Sequence, residues 1–328
     1  EVAPFSSLLL PRLIQSMSGP AQNRLLHWVI RSSNLRKTLS FLTDPAVCGL
    51  RVLRHEENAS ACQITCNGRS GRPWSKTMVG WGREDARFCL EVTYSYGVRS
   101  YPKLPGEVVA FAVRTAEPAA AAELAVERHG CTLVTAEGVE PEVQELARET
   151  GAPGVVGPDS YPYFFVPKTS EDEEGERFAW VALGVDASSL SPTQAFYSDH
   201  VRCSPAAARD TELKFFPRKT GVGEREPSDW QGRVAIGVSG GSEASETAPT
   251  IETIYAPIPP ARVIHELRTE NEGDDTLGAL RIAIVRDPAM TEVCLVTRET
   301  FDAGVIQVTD YKGPDWTWRQ ENMGEEKE

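Results

Sequence analysis

The feature that most constrains this sequence is a succession of one strand, one helix and three strands that occurs more than once along the chain. An apolar, β-prone run at 24–30 precedes a segment at 33–42 whose leucines recur at helical spacing. Three short β-rich runs, separated by polar or glycine-bearing turns, follow at 49–55, 76–81 and 86–94. This order predicts a βαβββ module at the start of the chain.

The same order begins again further along. A β-prone run at 108–113 is followed by an alanine-rich segment at 116–129 with helical composition. Three more strand-like runs lie at 132–134, 154–156 and 161–166. Apolar runs at 178–185 and 231–238 open a third and a fourth module. A domain-scale duplication of βαβββ units is therefore predicted.

A charge-dense stretch, TSEDEEGER, divides the chain and has the composition of a solvated linker. On either side of it, VVGPDSYPYFFV and IVRDPAMTEVCLV repeat a pattern of apolar strand, proline-containing turn and apolar strand. The predicted organisation is an N-terminal extension at 1–22, a first half at 23–168, an acidic linker at 169–177, a second half at 178–302 and a C-terminal tail at 303–328.

Composition excludes several classes of partner. The chain of 328 residues carries a net charge of −13, which repels phosphate backbones, so neither nucleic acid nor an anionic membrane is expected as a partner. The apolar run near the N-terminus stops at Pro11, far short of the roughly 20 residues that a membrane span needs. Seven cysteines without a CxxC pair indicate a reducing compartment rather than a disulfide-stapled fold.

The first part of the chain is basic. Between Glu1 and Asp44 there is no acidic residue, and the leucine-, serine- and arginine-bearing run at 8–17 is typical of an organellar transit remnant. A mitochondrial location is therefore expected, with a plastid or cytosolic location as alternatives. A truncated sequence or a plain surface extension would explain the same composition.

Two segments resemble glyoxalase I of the vicinal oxygen chelate superfamily. RLLHWVIRSSNLRKTLSFL is similar to its opening strand and helix, and RFCLEVTYSYGVRSY is similar to its ligand-bearing strand. GLRVLRHEE, WSKTMVGWGRED and DPAMTEVCLV extend the likeness. The resemblance implies an α+β fold with four βαβββ modules in two paired halves. The third module is expected to be degenerate, because the interval between its two ligand positions is about half that of the first.

In glyoxalase I, each module contributes a first-strand residue and a last-strand carboxylate to a Zn²⁺ or Ni²⁺ site. The resemblance places His27 and Glu91 at these positions in the first module. It also implies that the fourth module, with Arg233 and Cys294 at the matching positions, completes the site of the first. In the second and third modules the ligand positions are occupied by residues that bind cations poorly, namely Val108, Phe164, Trp180 and Lys214.

Less specific interpretations exist for each of these side chains. His27 on an apolar strand is compatible with a core histidine, and Glu91 with a structural ion pair. Cys294 in EVCLV has the setting of a small buried hydrophobe without a catalytic role. Because a buried carboxylate needs a partner, we expect the Arg233 guanidinium to point at Glu91 in place of the missing metal.

The leading functional hypothesis is a vestigial, non-catalytic glyoxalase-like protein that needs no cofactor and serves as a binding or scaffold subunit. Its protein partners would belong to an organellar assembly. The alternative is a metal-dependent lactoylglutathione lyase-type isomerase that uses His27 and Glu91 with Zn²⁺ or Ni²⁺ on a hemithioacetal of glutathione and a 2-oxoaldehyde. In that case Glu91 would be the candidate catalytic residue.

Three other motifs give weak signals. Cys62 and Cys66 with His55 could be taken for zinc ligands, but no second Cys or His pair accompanies them. The glycine-rich run at 237–245 lacks the lysine of a phosphate loop. Its first residues match the GxSxG nucleophile elbow, with Ser239 as the serine, but the following SEASETAPT has no helical period, so a loop is predicted.

Overall fold

The computed structural model of the chain describes residues 23–104, 106–168, 176–203, 211–218, 228–239, 249–270 and 280–305. The predicted N-terminal extension lies outside the described residues. So do most of the predicted acidic linker and nearly all of the predicted C-terminal tail. None of the helices in the described ranges is long and apolar enough to span a membrane.

The described residues form fourteen β-strands and six α-helices. The strands are β1 Arg24–Arg31, β2 Arg51–Asn58, β3 Trp74–Gly80, β4 Cys89–Ser95, β5 Val109–Thr115, β6 Thr132–Leu133, β7 Gly154–Val156, β8 Pro162–Pro167, β9 Phe178–Asp186, β10 Glu212–Arg218, β11 Arg233–Val238, β12 Val263–Glu270, β13 Leu280–Arg286 and β14 Glu292–Thr297. The helices are α1 Leu35–Thr43, α2 Pro118–His129, α3 Pro141–Thr150, α4 Ala187–Ala195, α5 Ile251–Tyr255 and α6 Arg298–Gly304.

The strands build two mixed sheets. The eight-stranded sheet has the order β12-β13-β14-β11-β1-β4-β3-β2, and the six-stranded sheet has the order β10-β9-β5-β8-β7-β6. In every module the first strand runs parallel to the last, as in β1 with β4 and β11 with β14. The predicted α+β fold of paired βαβββ modules is confirmed.

Each sheet joins two modules through an antiparallel pair of first strands. β1 pairs with β11, so the first module joins the fourth, as the resemblance implies. β5 pairs with β9 in the same way, which joins the second module to the third. The segments 23–168 and 178–302 therefore divide the sequence but do not correspond to the two sheets. Each sheet contains one module from the first segment and one module from the second.

The third module is shortened, as predicted. Its described residues contain only two strands, β9 and β10, which are adjacent and parallel. Between them α4 continues into a π-helix at Phe196–His200, in place of the further strands of a full module.

One hydrophobic core lies between the two sheets. Trp28 of the eight-stranded sheet meets Phe111 of the six-stranded sheet edge-on, with 6.4 Å between ring centroids. The Tyr161 ring stacks on the Trp230 ring with 4.3 Å between centroids, a second contact in this core. Helices α1 and α2 contribute their apolar faces to the same core. Because side chains alternate along a strand, each sheet also has a second face that points away from this core.

Candidate functional site

The four positions that the resemblance assigns to the first and fourth modules come together on one face of the eight-stranded sheet. Across neighbouring strands, Glu91 is in register with Val29, and Val29 is in register with Arg233. The adjacent row aligns His27 with Ala235 and then Cys294. Opposed residues in a sheet share a face. We call this surface, defined by His27, Glu91, Arg233 and Cys294, the site face.

His27 and Glu91 form the centre of the site face. His27 Nε2 lies 3.3 Å from Glu91 Oε2, and the two side chains are 11% and 8% exposed. Burial lowers the pKa of His27 from 6.5 to about 3, so the imidazole is neutral at pH 7. His27 Nδ1 and Glu91 Oε1 are buried without a hydrogen-bond partner in the described part of the chain. The pair therefore retains two unsatisfied polar atoms.

A network of charged side chains flanks this pair on β2 and β3. Arg54 forms two hydrogen bonds to the Glu84 carboxylate, each 2.9 Å long, and Lys76 Nζ lies 2.8 Å from Glu56. Arg54 also pairs with Glu56. Burial lowers the pKa of Lys76, and its charge acts on His27. Sequence reasoning missed this network, although RVLRHEE carries both basic and acidic residues on β2.

Arg233 is placed differently from the prediction. Its guanidinium lies 3.3 Å from Glu292 and donates a hydrogen bond of 2.8 Å to the carbonyl of Ile64. Further hydrogen bonds reach the carbonyl and the hydroxyl of Thr65. The predicted Arg233–Glu91 pair is thus corrected. Glu292 is directly opposite on the adjacent strand, whereas Glu91 is two strands away, or about 10 Å at the backbone.

Gly232 allows Arg233 to enter the sheet at this point. It has a φ of +71°, and a Cβ atom there would collide with the carbonyl oxygen of Val29. A glycine is therefore required where β11 begins beside β1.

Cys294 is a buried thiol. It is 8% exposed and packs with Leu26 and Ile284 in a small apolar cluster. Burial raises the pKa of the Cys294 thiol to about 12, so it is protonated at neutral pH. Phe301 of α6 belongs to the same surroundings, with its ring centroid 6.0 Å from that of His27. Sequence reasoning did not place this helix over the site face.

The weak zinc motif does not assemble. His55 Nδ1 lies 2.7 Å from the Thr77 hydroxyl, and its Nε2 lies 2.8 Å from Glu57. Cys62 and Cys66 contact each other instead, with 2.8 Å between their sulfur atoms. Within the ranges that the structure describes, no group of three or more His, Cys, Asp or Glu side chains is arranged to hold a metal ion.

The corresponding face of the six-stranded sheet is closed by apolar packing. Val108, Phe164 and Trp180, which stand at the ligand positions of the second and third modules, lie in one hydrophobic cluster. Helix α3 fills this face with Val143 and Leu146, together with Ala147. Lys214 places its ammonium 5.5 Å from the Trp180 ring centroid and is 40% exposed. This second face thus offers a core rather than a polar site.

Ser239, the candidate nucleophile, is 2% exposed at the end of β11. Its hydroxyl donates a hydrogen bond of 3.1 Å to Glu299, and its backbone N–H donates to Asn23. The residues that follow it, 240–248, lie outside the described part.

Comparison with solved structures defines the fold. A point variant of glyoxalase I from Zea mays superposes with a TM-score of 0.60 at 18% identity, covering 85% of this chain and 94% of that one. No protein-family model matches the chain.

Comparison with curated proteins adds the family relationship. Glyoxalase 1 from Caenorhabditis elegans is 47% identical over 78 residues, which is 24% of this chain and 27% of that protein. Glyoxalase domain-containing protein 4 from Mus musculus is 47% identical over 81 residues, or 25% of this chain and 26% of that protein. These matches relate this chain to glyoxalase-domain proteins.

The sequence match between this chain and its relatives is local. It spans about a quarter of the length of these two relatives. Lactoylglutathione lyase from Salmonella typhimurium matches over 78 residues at 33% identity, 24% of this chain and 48% of that one. The resemblance predicted from the motifs is confirmed, including the likeness to glyoxalase domain-containing protein 4. The fold likeness to glyoxalase I from Zea mays extends over most of this chain.

Proposed function

We propose that this glyoxalase-domain protein is a non-catalytic binding or scaffold subunit whose ancestral metal site no longer takes up Zn²⁺ or Ni²⁺. The observation that carries the proposal is Arg233. A guanidinium that is always protonated stands where the fourth module would supply a ligand, and five hydrogen-bond donors with no acceptor cannot coordinate a cation.

The remaining residues support the same conclusion. Cys294 is a poor ligand because burial raises its pKa to about 12, and only a thiolate binds a metal. That leaves His27 and Glu91, whereas catalytic zinc sites use three protein ligands. The four residues of the site face therefore do not fit a resident Zn²⁺ or Ni²⁺ ion.

The unsatisfied atoms of the site face favour a binding role. His27 Nδ1 and Glu91 Oε1 lack hydrogen-bond partners in the described residues, and unpaired buried polar atoms are costly. A small polar ligand or a polar group of a partner protein would satisfy both atoms. Protein partners in an organelle, and the mitochondrial location expected from the basic first segment, belong to the same proposal.

A second candidate function is favoured by the same two residues. A lactoylglutathione lyase-type isomerase would use the imidazole and the carboxylate of His27 and Glu91, which already face each other at 3.3 Å. The similarity to lactoylglutathione lyase from Salmonella typhimurium points to this chemistry. It would require Zn²⁺ or Ni²⁺ held by this pair with water completing the coordination.

Equilibrium dialysis of the full chain against Zn²⁺ and against Ni²⁺, followed by elemental analysis, separates the two functions. We expect no bound metal that depends on His27 and Glu91, so the chain and its His27→Ala/Glu91→Ala variant should hold equal, sub-stoichiometric amounts. Near-stoichiometric metal that disappears in the variant would overturn the proposal and justify an assay of hemithioacetal isomerisation.

A gain-of-ligand variant makes the test two-sided. Arg233→His/Cys294→Glu restores a ligand set with four usable side chains, and should bind metal if the fold still brings these positions together. Adding His27→Ala and Glu91→Ala to that variant should abolish the gained metal. Circular dichroism of each variant checks that the fold is retained.

A further inference from the structure

The loop between β2 and β3 carries two cysteines that differ from the others. All seven cysteines lie in the described residues, and Cys48, Cys89, Cys131, Cys203 and Cys294 are buried. Cys62 and Cys66 are the two that are partly exposed. Their sulfur atoms are 2.8 Å apart, so the two thiols can reach each other.

Two buried arginines hold this loop in place from the sheet below. Arg233 donates to the carbonyls of Ile64 and Thr65, and Arg31 Nε donates to the carbonyl of Cys66 at 3.1 Å. Arg31 and Arg233 are only 3% and 2% exposed. The five residues from Cys62 to Cys66 turn tightly, with Thr65 at a φ of +56°. The contact between the cysteines is built into the fold.

The two thiols have unequal acidity. A hydrogen bond from the Cys66 thiol lowers the pKa of Cys62 to about 7, with help from backbone N–H groups of Ile64 and Cys66. The same hydrogen bond, with burial, raises the pKa of Cys66. Thiolate is the reactive form of cysteine. Cys62 is therefore suited to attack first, and Cys66 to act second.

We propose that Cys62 and Cys66 form a reversible dithiol–disulfide centre in the loop that lies over the site face. The oxidant is a small-molecule disulfide. Disulfide formation needs the sulfur atoms to close from 2.8 Å to about 2.0 Å, a movement within the freedom of two side-chain torsions. The loop backbone can keep its hydrogen bonds to Arg31 and Arg233.

Oxidation proceeds by two exchanges. The Cys62 thiolate attacks one sulfur of the small-molecule disulfide, which forms a mixed disulfide and releases one reagent thiolate. Cys66 then gives its proton to solvent and attacks the Cys62 sulfur, and the second reagent thiolate leaves as the Cys62–Cys66 bond forms. Two electrons pass from the cysteine pair to the reagent, which takes up protons to become two thiols.

The test uses the full chain and needs no variant. The chain is equilibrated in mixtures of reduced and oxidised dithiothreitol, quenched with acid, alkylated in denaturant and digested with trypsin. Cleavage after Arg54 and Arg69 releases one peptide, residues 55–69, that contains Cys62 and Cys66 and no other cysteine. Its mass reports directly whether both thiols are alkylated or whether the peptide has lost two hydrogen atoms.

We expect the peptide to change from doubly alkylated to internally bonded as the mixture becomes more oxidising, with the same midpoint when approached from either side. Peptides with Cys131 or Cys203 should stay alkylated throughout and serve as internal controls. A peptide 55–69 that stays doubly alkylated at the most oxidising ratio would overturn the proposal. So would a bond from Cys62 to a cysteine of another peptide.

Single variants assign the order of attack. With Cys66→Ser, oxidised glutathione should leave a mixed disulfide that accumulates on Cys62. With Cys62→Ser, modification of Cys66 should be at least tenfold slower. Equal rates in the two variants would contradict the assigned order. None of these outcomes depends on whether the site face binds metal, so this inference and the proposed function fail separately.

Discussion

His27 keeps its imidazole buried beside the Glu91 carboxylate, and the cost of this position depends on pH. Burial lowers the pKa of His27 to about 3, whereas an unfolded chain binds the proton with a pKa of 6.5. Below pH 6.5 the unfolded state therefore takes up a proton that the folded state refuses. The free energy of unfolding must fall as the pH is lowered from about 6.5 towards about 3.

Replacing His27 by glutamine should remove this dependence. Between pH 6.5 and pH 3, we expect the free energy of unfolding to fall further for the unchanged chain than for the His27→Gln variant. The difference should reach up to about 5 kcal/mol, since one pKa unit is worth about 1.4 kcal/mol. Denaturant unfolding at a series of pH values measures the difference. Parallel stability curves for the two chains would contradict it.

The comparison has to be made between variants, because several carboxyls act in the opposite direction, among them Asp159, Asp287 and Glu176. Burial raises the pKa of Asp159 and Asp287 to about 6. Each carboxyl binds a proton more readily in the folded state than in the unfolded state. Its contribution to the free energy of unfolding is therefore greatest at low pH and is lost as the pH rises towards 6. These contributions are common to both chains and cancel in the difference.

At the residue scale, the sequence predicted where the site side chains lie better than it predicted which groups they contact. The motifs around His27 and Glu91 identified a pair that does meet at 3.3 Å. The partner of Arg233 was predicted wrongly, because the carbonyls of Ile64 and Thr65 that receive it belong to a loop distant in sequence. No local pattern encodes where such a loop will lie.

Helix α3 is an element that sequence reasoning missed. It has the expected start and stop signals, with Pro141 in its first turn and Gly151 at its end, where φ is +62°. Val143, Leu146 and Ala147 share one side at helical spacing and bury it. The strands β1, β4, β5 and β11, by contrast, were predicted nearly at their observed bounds, because continuous apolar runs mark strands buried on both faces.

The packing of α3 can be tested by one truncation. Leu146→Ala removes a side chain that is 4% exposed in the cluster with Phe164 and Trp180, and should lower the free energy of unfolding by about 2–4 kcal/mol. The matched control is Arg148→Ala on the same helix, where the side chain is 65% exposed. Thermal and denaturant unfolding compare the two, and equal effects would show that α3 does not anchor this face.

The whole molecule is held by a core to which both sheets contribute. Phe111 touches Trp28 across the interface and lies beside Tyr161 and Tyr163 within its own sheet. The sequence pattern could predict the four modules, but not which of them would share a sheet. The pairing of the first module with the fourth rests on a ladder between segments some 200 residues apart, which only the family resemblance anticipated.

A shared core predicts cooperative unfolding. Phe111→Ala should lower the stability by about 3–5 kcal/mol, and should shift tryptophan fluorescence and far-ultraviolet circular dichroism together. Val126→Ala, at an exposed position of α2, should leave both transitions nearly unchanged. Two separate transitions, of which only one moves, would mean that the sheets unfold independently.

Helix α3 fills one sheet face, and this also limits how ligand binding by this chain can depend on ligand concentration. Four modules paired in two sheets could offer two equivalent sites that communicate. With Val143 and Leu146 packed against Phe164, the site face is the one of these two sheet faces that the described residues leave to accept a ligand. For the proposed binding role we therefore expect one equivalent of ligand per chain at this face, without cooperativity between two sheet faces of the same chain. A sigmoidal response would point to the association of separate chains.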